Sequence, residues 1–265
     1  GVINIVTKSA VDTQGIYAHS GGGSEHRSFN AVRYGSQAGD LHWRVYGMQA
    51  EDSAAWRDPS QSWLPPGAWD AFRYGQGGFR MDWTPNRYDT LTLQGDFLSQ
   101  REMLQMLDNL FFYTRSPEAV YSNNFVARWT RKIDEDRDWS VQMYYDGFKR
   151  QATGYASRLI VVNTFDLDSQ YHFKMGERHD VVCGLGYRNY ASRMDVTNGV
   201  IDFDPTRDAF STISWFVQDT VALSPDRLYL TGGIKLEENN FTGFEFQPSI
   251  RLLVTPDDRT SIWGA

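Results

Sequence analysis

The feature that most constrains this chain is a strict two-residue alternation sustained over long stretches. Within residues 162–174, Phe165, Leu167, Tyr171 and Phe173 occupy one parity and Asp166, Asp168, Gln170, His172 and Lys174 the other. Successive side chains of an extended strand point to opposite faces, so one face here is apolar and the other strongly polar. The pattern returns in residues 90–97, where Leu91, Leu93 and Phe97 oppose Thr92, Gln94 and Asp96. It returns again in residues 227–237, with Leu228, Leu230, Ile234 and Leu236 against Thr231, Lys235 and Glu237. Residues 244–254 continue it, setting Phe246, Ile250, Leu252 and Val254 against Glu245, Gln247, Ser249 and Arg251. Helical spacing is scarce throughout, and the chain reads as all-β and antiparallel.

A second period lies in the connections. Residues 37–40, 84–89, 134–138, 175–179, 224–227 and 255–260 are short and rich in Asp, Gly, Pro and Asn, as tight hairpins require. Longer segments fall between them: residues 53–70, 101–119, 151–158 and 194–210. The strands so delimited number about a dozen, each roughly nine to fifteen residues, against about five or six in ordinary globular sheets. Roughly nine to eleven tilted residues cross a membrane's hydrocarbon, so long strands joined by alternating short and long loops predict a transmembrane β-barrel. Trp43, Trp83, Trp129, Trp139 and Phe173 all lie beside short turns, as an interfacial girdle requires. A soluble sandwich shares the alternation and accounts for the aromatics as core. Strand length and loop alternation favour the barrel, and a propeller's period of about forty residues is not found.

Composition closes off other classes. Mean hydropathy is -0.51, and no apolar run approaches the roughly twenty residues of a membrane helix. The net charge of -7 is dispersed, so no basic face points to nucleic acid. Cys183 stands alone and cannot form an internal disulfide. Hydrolase, zinc-protease, Walker and dinucleotide motifs are missing, and no enzyme activity or cofactor is expected. His19, His26, His42, His172 and His179 lie on different segments without ligand spacing. Asp134, Asp136 and Asp138 imitate the start of a calcium loop but lack its glycine and final glutamate, and a solvated turn is the better reading. Asp202, Asp204 and Asp208 are weak metal candidates in a longer loop, where solvated carboxylates are again preferred. Gly21 to Ser24 reads as a turn, since no helix start or phosphate-binding lysine follows it.

Gly1-Val2-Ile3-Asn4-Ile5-Val6-Thr7-Lys8 resembles the end of the plug domain of TonB-dependent outer-membrane receptors, where such a segment leads into the first barrel strand. Three further stretches are similar to that family's barrel: Ser214-Trp215-Phe216-Val217-Gln218-Asp219, "LYLTGGIKL" over residues 228–236, and Gln247-Pro248-Ser249-Ile250-Arg251-Leu252 with Thr255-Pro256. The resemblance implies a plug end over residues 1–10 and the N-terminal part of a barrel over residues 11–265. About twelve of the family's roughly 22 strands would be present, a fragment unable to transport alone. It places the short turns in the periplasm and the long loops outside the cell. Pro248, which cannot donate to a strand ladder, calls for a bulge or an edge-facing position.

The implied function is energy-coupled import of a scarce ligand across the outer membrane of a Gram-negative bacterium, with a ferric siderophore first among candidates and cobalamin, haem or a glycan as alternatives. Its implied partners are outer-membrane lipid and the TonB-ExbB-ExbD complex, reached through the plug. A passive porin-like barrel is the rival of another class, and needs no plug. For ligand contact the loop of residues 53–70 stands out, because Trp56, Trp63 and Trp69 beside Arg57 suit a planar anionic chelate. Loop-on-loop packing accounts for them equally well. Residues 101–115 suggest a short helix ending at Tyr113 and Arg115, with loop packing again the default.

Overall fold

The computed structural model describes residues 6–54, 70–107, 113–153, 157–197 and 203–265. They form one antiparallel sheet of thirteen strands in which each strand pairs with the next in the chain. In order these are β1 (Gly15–Gly21), β2 (His26–Ala38), β3 (Leu41–Asp52), β4 (Phe72–Trp83), β5 (Asp89–Leu107), β6 (Tyr113–Lys132) and β7 (Arg137–Ala152). Then follow β8 (Ser157–Met175), β9 (His179–Thr197), β10 (Arg207–Ser224), β11 (Leu228–Asn239), β12 (Gly243–Asp257) and the short β13 (Thr260–Gly264). No helix among the described residues is long and apolar enough to cross a membrane.

The short turns fall where expected, and each closes on its own chemistry. Gly39 supplies the left-handed backbone, φ 58°, between β2 and β3. Asp226 takes φ 62° between β10 and β11; its N–H donates to the Tyr229 hydroxyl, and its carbonyl accepts from Thr255 Oγ1 at 2.6 Å. Between β6 and β7, Asp134 accepts from Arg137, and that guanidinium holds its carboxyl below the usual range. Asp136 pairs with Lys174 and Asp138 with His172, so all three aspartates of this turn are occupied by side chains.

At the opposite end the strands run further than the sequence suggests. Several reach nineteen or twenty residues, beyond the expected nine to fifteen. The expected loop and short helix over residues 101–119 give way to strand: β5 continues to Leu107, β6 starts at Tyr113, and Leu107 pairs with Tyr113. Leu, Met, Gln and Glu favour helix weakly, and continuous pairing with a neighbouring strand overrides that preference. Strand ends likewise shorten the loops at 151–158 and 194–210, since β7 ends at Ala152, β8 begins at Ser157, β9 ends at Thr197 and β10 begins at Arg207. Pro248 sits opposite Ile234 with the β11–β12 register unbroken around it, so no bulge marks its place.

Register sorts the side chains into two faces. Trp43, Met81, Leu93, Ala127, Met143, Leu167, Tyr187 and Ile213 form one continuous cross-strand row. The neighbouring row, of opposite parity, reads Arg44, Arg80, Gln94, Val126, Tyr144, Asp166, Arg188 and Thr212. The first lies on the apolar face and the second on the polar one. On the apolar face the residues stay uncharged for about ten positions above the short turns in β4, β5 and β7. Charge then enters at Arg73, Arg101 and Lys149. At a tilt of about 45° ten residues rise about 23 Å, close to the roughly 25 Å apolar band of outer-membrane barrels. Near the short turns the aromatics gather, with Tyr34 edge-on to Trp43 at 5.5 Å and Trp129 to Trp139 at 5.3 Å. An outward pair, His179 and Asp219 at 2.7 Å, interrupts the band.

Candidate functional site

The polar face carries its chemistry in tiers, beginning at the short-turn end. Residues 8–13 cross that face before β1 and close a 3-10 turn at Val11–Thr13. Thr13 N–H donates to the Ala10 carbonyl at 3.2 Å, and Gln14 Nε2 donates to the same oxygen at 2.6 Å. Three charged side chains of β3 and β4 hold the segment. Arg44 donates to the Lys8 carbonyl at 2.6 Å, and Arg80 donates to Thr7 Oγ1 at 2.9 Å. Asp82 accepts from the Ala10 N–H at 2.7 Å, Ser9 Oγ at 3.1 Å, Arg80 Nε at 2.9 Å and Thr92 Oγ1 at 2.8 Å.

Arg44 and Arg80 face each other directly in the β3–β4 register, an arrangement that repels unless something negative lies between. Peptide oxygens of the segment and the Asp82 carboxylate fill that role. Ala10 is fully buried and Thr13 2% exposed. The approach is so close that a side chain on Gly35 of β2 would stand 2.2 Å from the Thr13 carbonyl oxygen. These contacts make a latch between the incoming segment and the sheet.

The middle tier joins three strands. Tyr46 donates to Asp96 at 2.5 Å and accepts from Gln76 Nε2 at 2.7 Å. Gly78 leaves the space that these groups occupy, since a Cβ there would meet Asp96 Oδ1 at 2.3 Å.

The upper tier is ionic. The Glu118 side chain is 0% exposed and bridges Arg150 at 2.7 Å and Arg158 at 2.9 Å, while Glu102 takes Arg150 at 3.0 Å. Burial of a carboxylate is tolerable only with such pairing. Arg150 Nε and Ser116 Oγ, both buried, have no partner among the described residues, so this tier keeps donor capacity there.

Further round the sheet His172 stands between Asp138 and Asp180 at 2.8 and 2.9 Å, Arg188 holds Asp166 at 2.8 Å, and Lys235 holds Glu237 at 2.6 Å. The whole face is a wall of fixed donors and acceptors suited to water and polar solutes. Among the described residues no three metal-binding side chains are placed to hold a metal ion together, His172 with its two aspartates included.

Of the residues singled out from the sequence, Trp56, Arg57, Trp63, Trp69 and Asp202 lie outside the described residues, as do Gly1, Val2, Ile3, Asn4 and Ile5. Tyr113 and Arg115 are strand positions of β6, opposite Leu107 and Gln105. Asp208 is the second residue of β10 and accepts from the Ala209 N–H, while Asp204 precedes the strand. Thr7 and Lys8 belong to the latch. Sequence reading missed Arg44, Arg80, Asp82, Glu118, Arg150 and Arg158. The signal was available, because all six fall on the polar parity of their strands.

No family model matches the sequence, and no curated protein matches it. Solved structures do match. The ferric enterobactin receptor of Pseudomonas aeruginosa superposes with a TM-score of 0.66 at 13% identity, over 93% of this chain and 41% of that one. A siderophore receptor of Acinetobacter baumannii, PirA, gives 0.64 at 13% identity, over 92% and 40%. The copper transporter OprC gives 0.69 at 12% identity, over 94% and 43%. The chain therefore has the fold of part of an outer-membrane receptor barrel, and it spans about two fifths of the length of the receptors it matches.

Proposed function

We propose that this chain is the first part of the barrel, with the end of the plug at residues 1–10, of a TonB-dependent outer-membrane receptor that imports a ferric siderophore. The observation that carries the reading is the latch: a segment entering from the N-terminal side is bound inside the polar face of a sheet whose other face is an apolar band. A segment held in this way just before the first strand is the arrangement expected where a plug passes into its barrel. The likeness to receptors for siderophores supports the ligand class, and the dense polar wall suits a hydrated passage.

In this reading the protein does no covalent chemistry. Ligand binds at the loop end, and Trp56, Arg57, Trp63, Trp69, Tyr113 and Arg115 are the residues assigned to its aromatic and cationic contacts. Energy from the TonB-ExbB-ExbD complex then shifts the plug toward a conformation that opens the passage. The fold is shared with a copper transporter, so ligand identity needs its own test.

A receptor-deficient Gram-negative strain carrying the whole gene would be grown under iron starvation with a panel of ferric siderophores, and in parallel under copper starvation. Rescue by a ferric chelate that disappears on deletion of TonB is the expected result. Rescue by copper alone, or uptake that survives TonB deletion, would overturn the assignment.

A further inference from the structure

The apolar face of β2 to β7 holds two grooves that meet at Tyr121. The lower one, about 1120 Å³, has a floor of glycines, Gly47, Gly75 and Gly77, walled by Val32 and Phe97. That floor is open: a Cβ on Gly47 would touch nothing within 4 Å, and one on Gly77 would come no nearer than 3.4 Å to any atom. Backbone crowding therefore does not explain these glycines, unlike Gly35 and Gly78 on the other face. What they provide is a smooth apolar channel.

The upper groove, about 770 Å³, lies beyond the apolar band and is lined by Arg27, Arg73 and Arg101 together with four acids. Those acids are already engaged, Glu102 and Glu118 by Arg150, Asp52 by His26 and Glu51 by Arg27, so Arg73 and Arg101 are left as its unmatched charges among the described residues. Arg73 and Arg101, both exposed, face each other directly in the β4–β5 register. Lys149 stands opposite Tyr121 one row below. Among the described residues none of the three has an ion-pair partner within 4 Å. The nearest acid in register, Glu51, is held by Arg27 at 3.2 Å. The comparison with Arg44 and Arg80 is direct: that like-charged pair is satisfied by peptide oxygens and Asp82, whereas this one has no such partner among the described residues. Like charges placed opposite each other repel, and an anion shared between them removes the cost.

We infer that this face binds one phosphorylated, acylated lipid of the surrounding leaflet, with its phosphate between Arg73, Arg101 and Lys149 and an acyl chain along the glycine floor. Phosphate at the boundary and hydrocarbon below match the order of the two grooves. A bidentate guanidinium pair suits phosphate geometry, and its position at the edge of the apolar band is that of a headgroup. The inference rests on the membrane placement given above.

The test uses the whole receptor, stripped of lipid in a non-ionic detergent, and native mass spectrometry with three probes: diphosphorylated lipid A, phosphatidylcholine and inorganic phosphate. Lipid A should be retained at about tenfold lower concentration than phosphatidylcholine. The Arg73→Gln/Arg101→Gln variant should abolish that preference while keeping phosphatidylcholine binding. The Gly47→Leu/Gly77→Leu variant, which fills open space, should weaken lipid A retention about tenfold with the charges intact.

Equal retention of the two lipids, or an unchanged arginine variant, would overturn the inference and leave the membrane placement standing. Inorganic phosphate binding as well as lipid A would show an ion site instead of a lipid site. Retention of neither lipid would refute the membrane placement and this inference with it.

Discussion

Replacing Asp82 by Asn removes the charge at the centre of the latch while keeping its shape. One carboxylate oxygen accepts from the Ala10 N–H, Ser9 Oγ and Arg80, and the other from Thr92 and Arg80. An amide has one acceptor oxygen, so either the segment or Thr92 loses its partner, and Arg80, whose side chain is 17% exposed, loses its counter-ion. Hydrogen bonds to a charged group contribute about 1.5–3 kcal/mol each, and they are not additive. Stranding a mostly buried arginine adds to the cost.

We take about 3 kcal/mol as the loss in holding the segment, which is on the order of a hundredfold in its opening equilibrium. Hydrogen exchange read by mass spectrometry on the peptide spanning residues 6–14 measures that opening directly, because the Ala10 amide donates to Asp82. Exchange there should rise by about two orders of magnitude, with β3 and β4 still protected. Thr92→Val, which removes one neutral partner, should raise it about tenfold or less. Exchange within about threefold of wild type in a folded Asp82→Asn protein would refute the latch.

Two further outcomes follow from the same wall. Glu118→Gln should lower the unfolding free energy by about 2 kcal/mol, less than a fully buried pair because Arg150 and Arg158 keep some solvent; a shift in urea midpoint in lipid vesicles equivalent to under about 0.5 kcal/mol would contradict the ionic tier. Gly35→Ala should expose the peptide of residues 6–14 to exchange, since its Cβ would stand 2.2 Å from the Thr13 oxygen, while Gly47→Ala, with open space around it, should leave exchange unchanged.

Alternation made the sheet and its two faces legible, because side-chain parity is a local property of an extended backbone. The segment around Phe165 to Lys174 states it outright, and the structure keeps every one of those assignments. Strand ends were less legible. "REMLQML" carries good helix formers, and only its pairing with β6 makes it strand, a contact made with distant sequence. The latch was harder still. Nothing local marks Arg44, Arg80 and Asp82 as a group, since β3 and β4 bring them together across an intervening loop. Histidines dispersed in sequence also converge with acids: His172 reaches Asp138 and Asp180 from three strands. Chemistry assembled across a sheet is visible from sequence as parity, and not as proximity.

The two interleaved rows, Trp43 with Met81 and Arg44 with Arg80, also bear on how the sheet is built. Every strand pairs only with its chain neighbours, so the sheet can grow one hairpin at a time, closing short loops whose entropic cost rises slowly with length. At each addition a slip of one residue exchanges the two rows completely. For β4 the slip would turn Arg80 and Asp82 toward lipid and Trp83 and Met81 toward water. An arginine facing the bilayer midplane costs about 2–4 kcal/mol, less nearer the interface. A mispaired hairpin is thereby penalised as soon as it forms, so the alternation that separates the two faces also fixes the register of each strand as it is added.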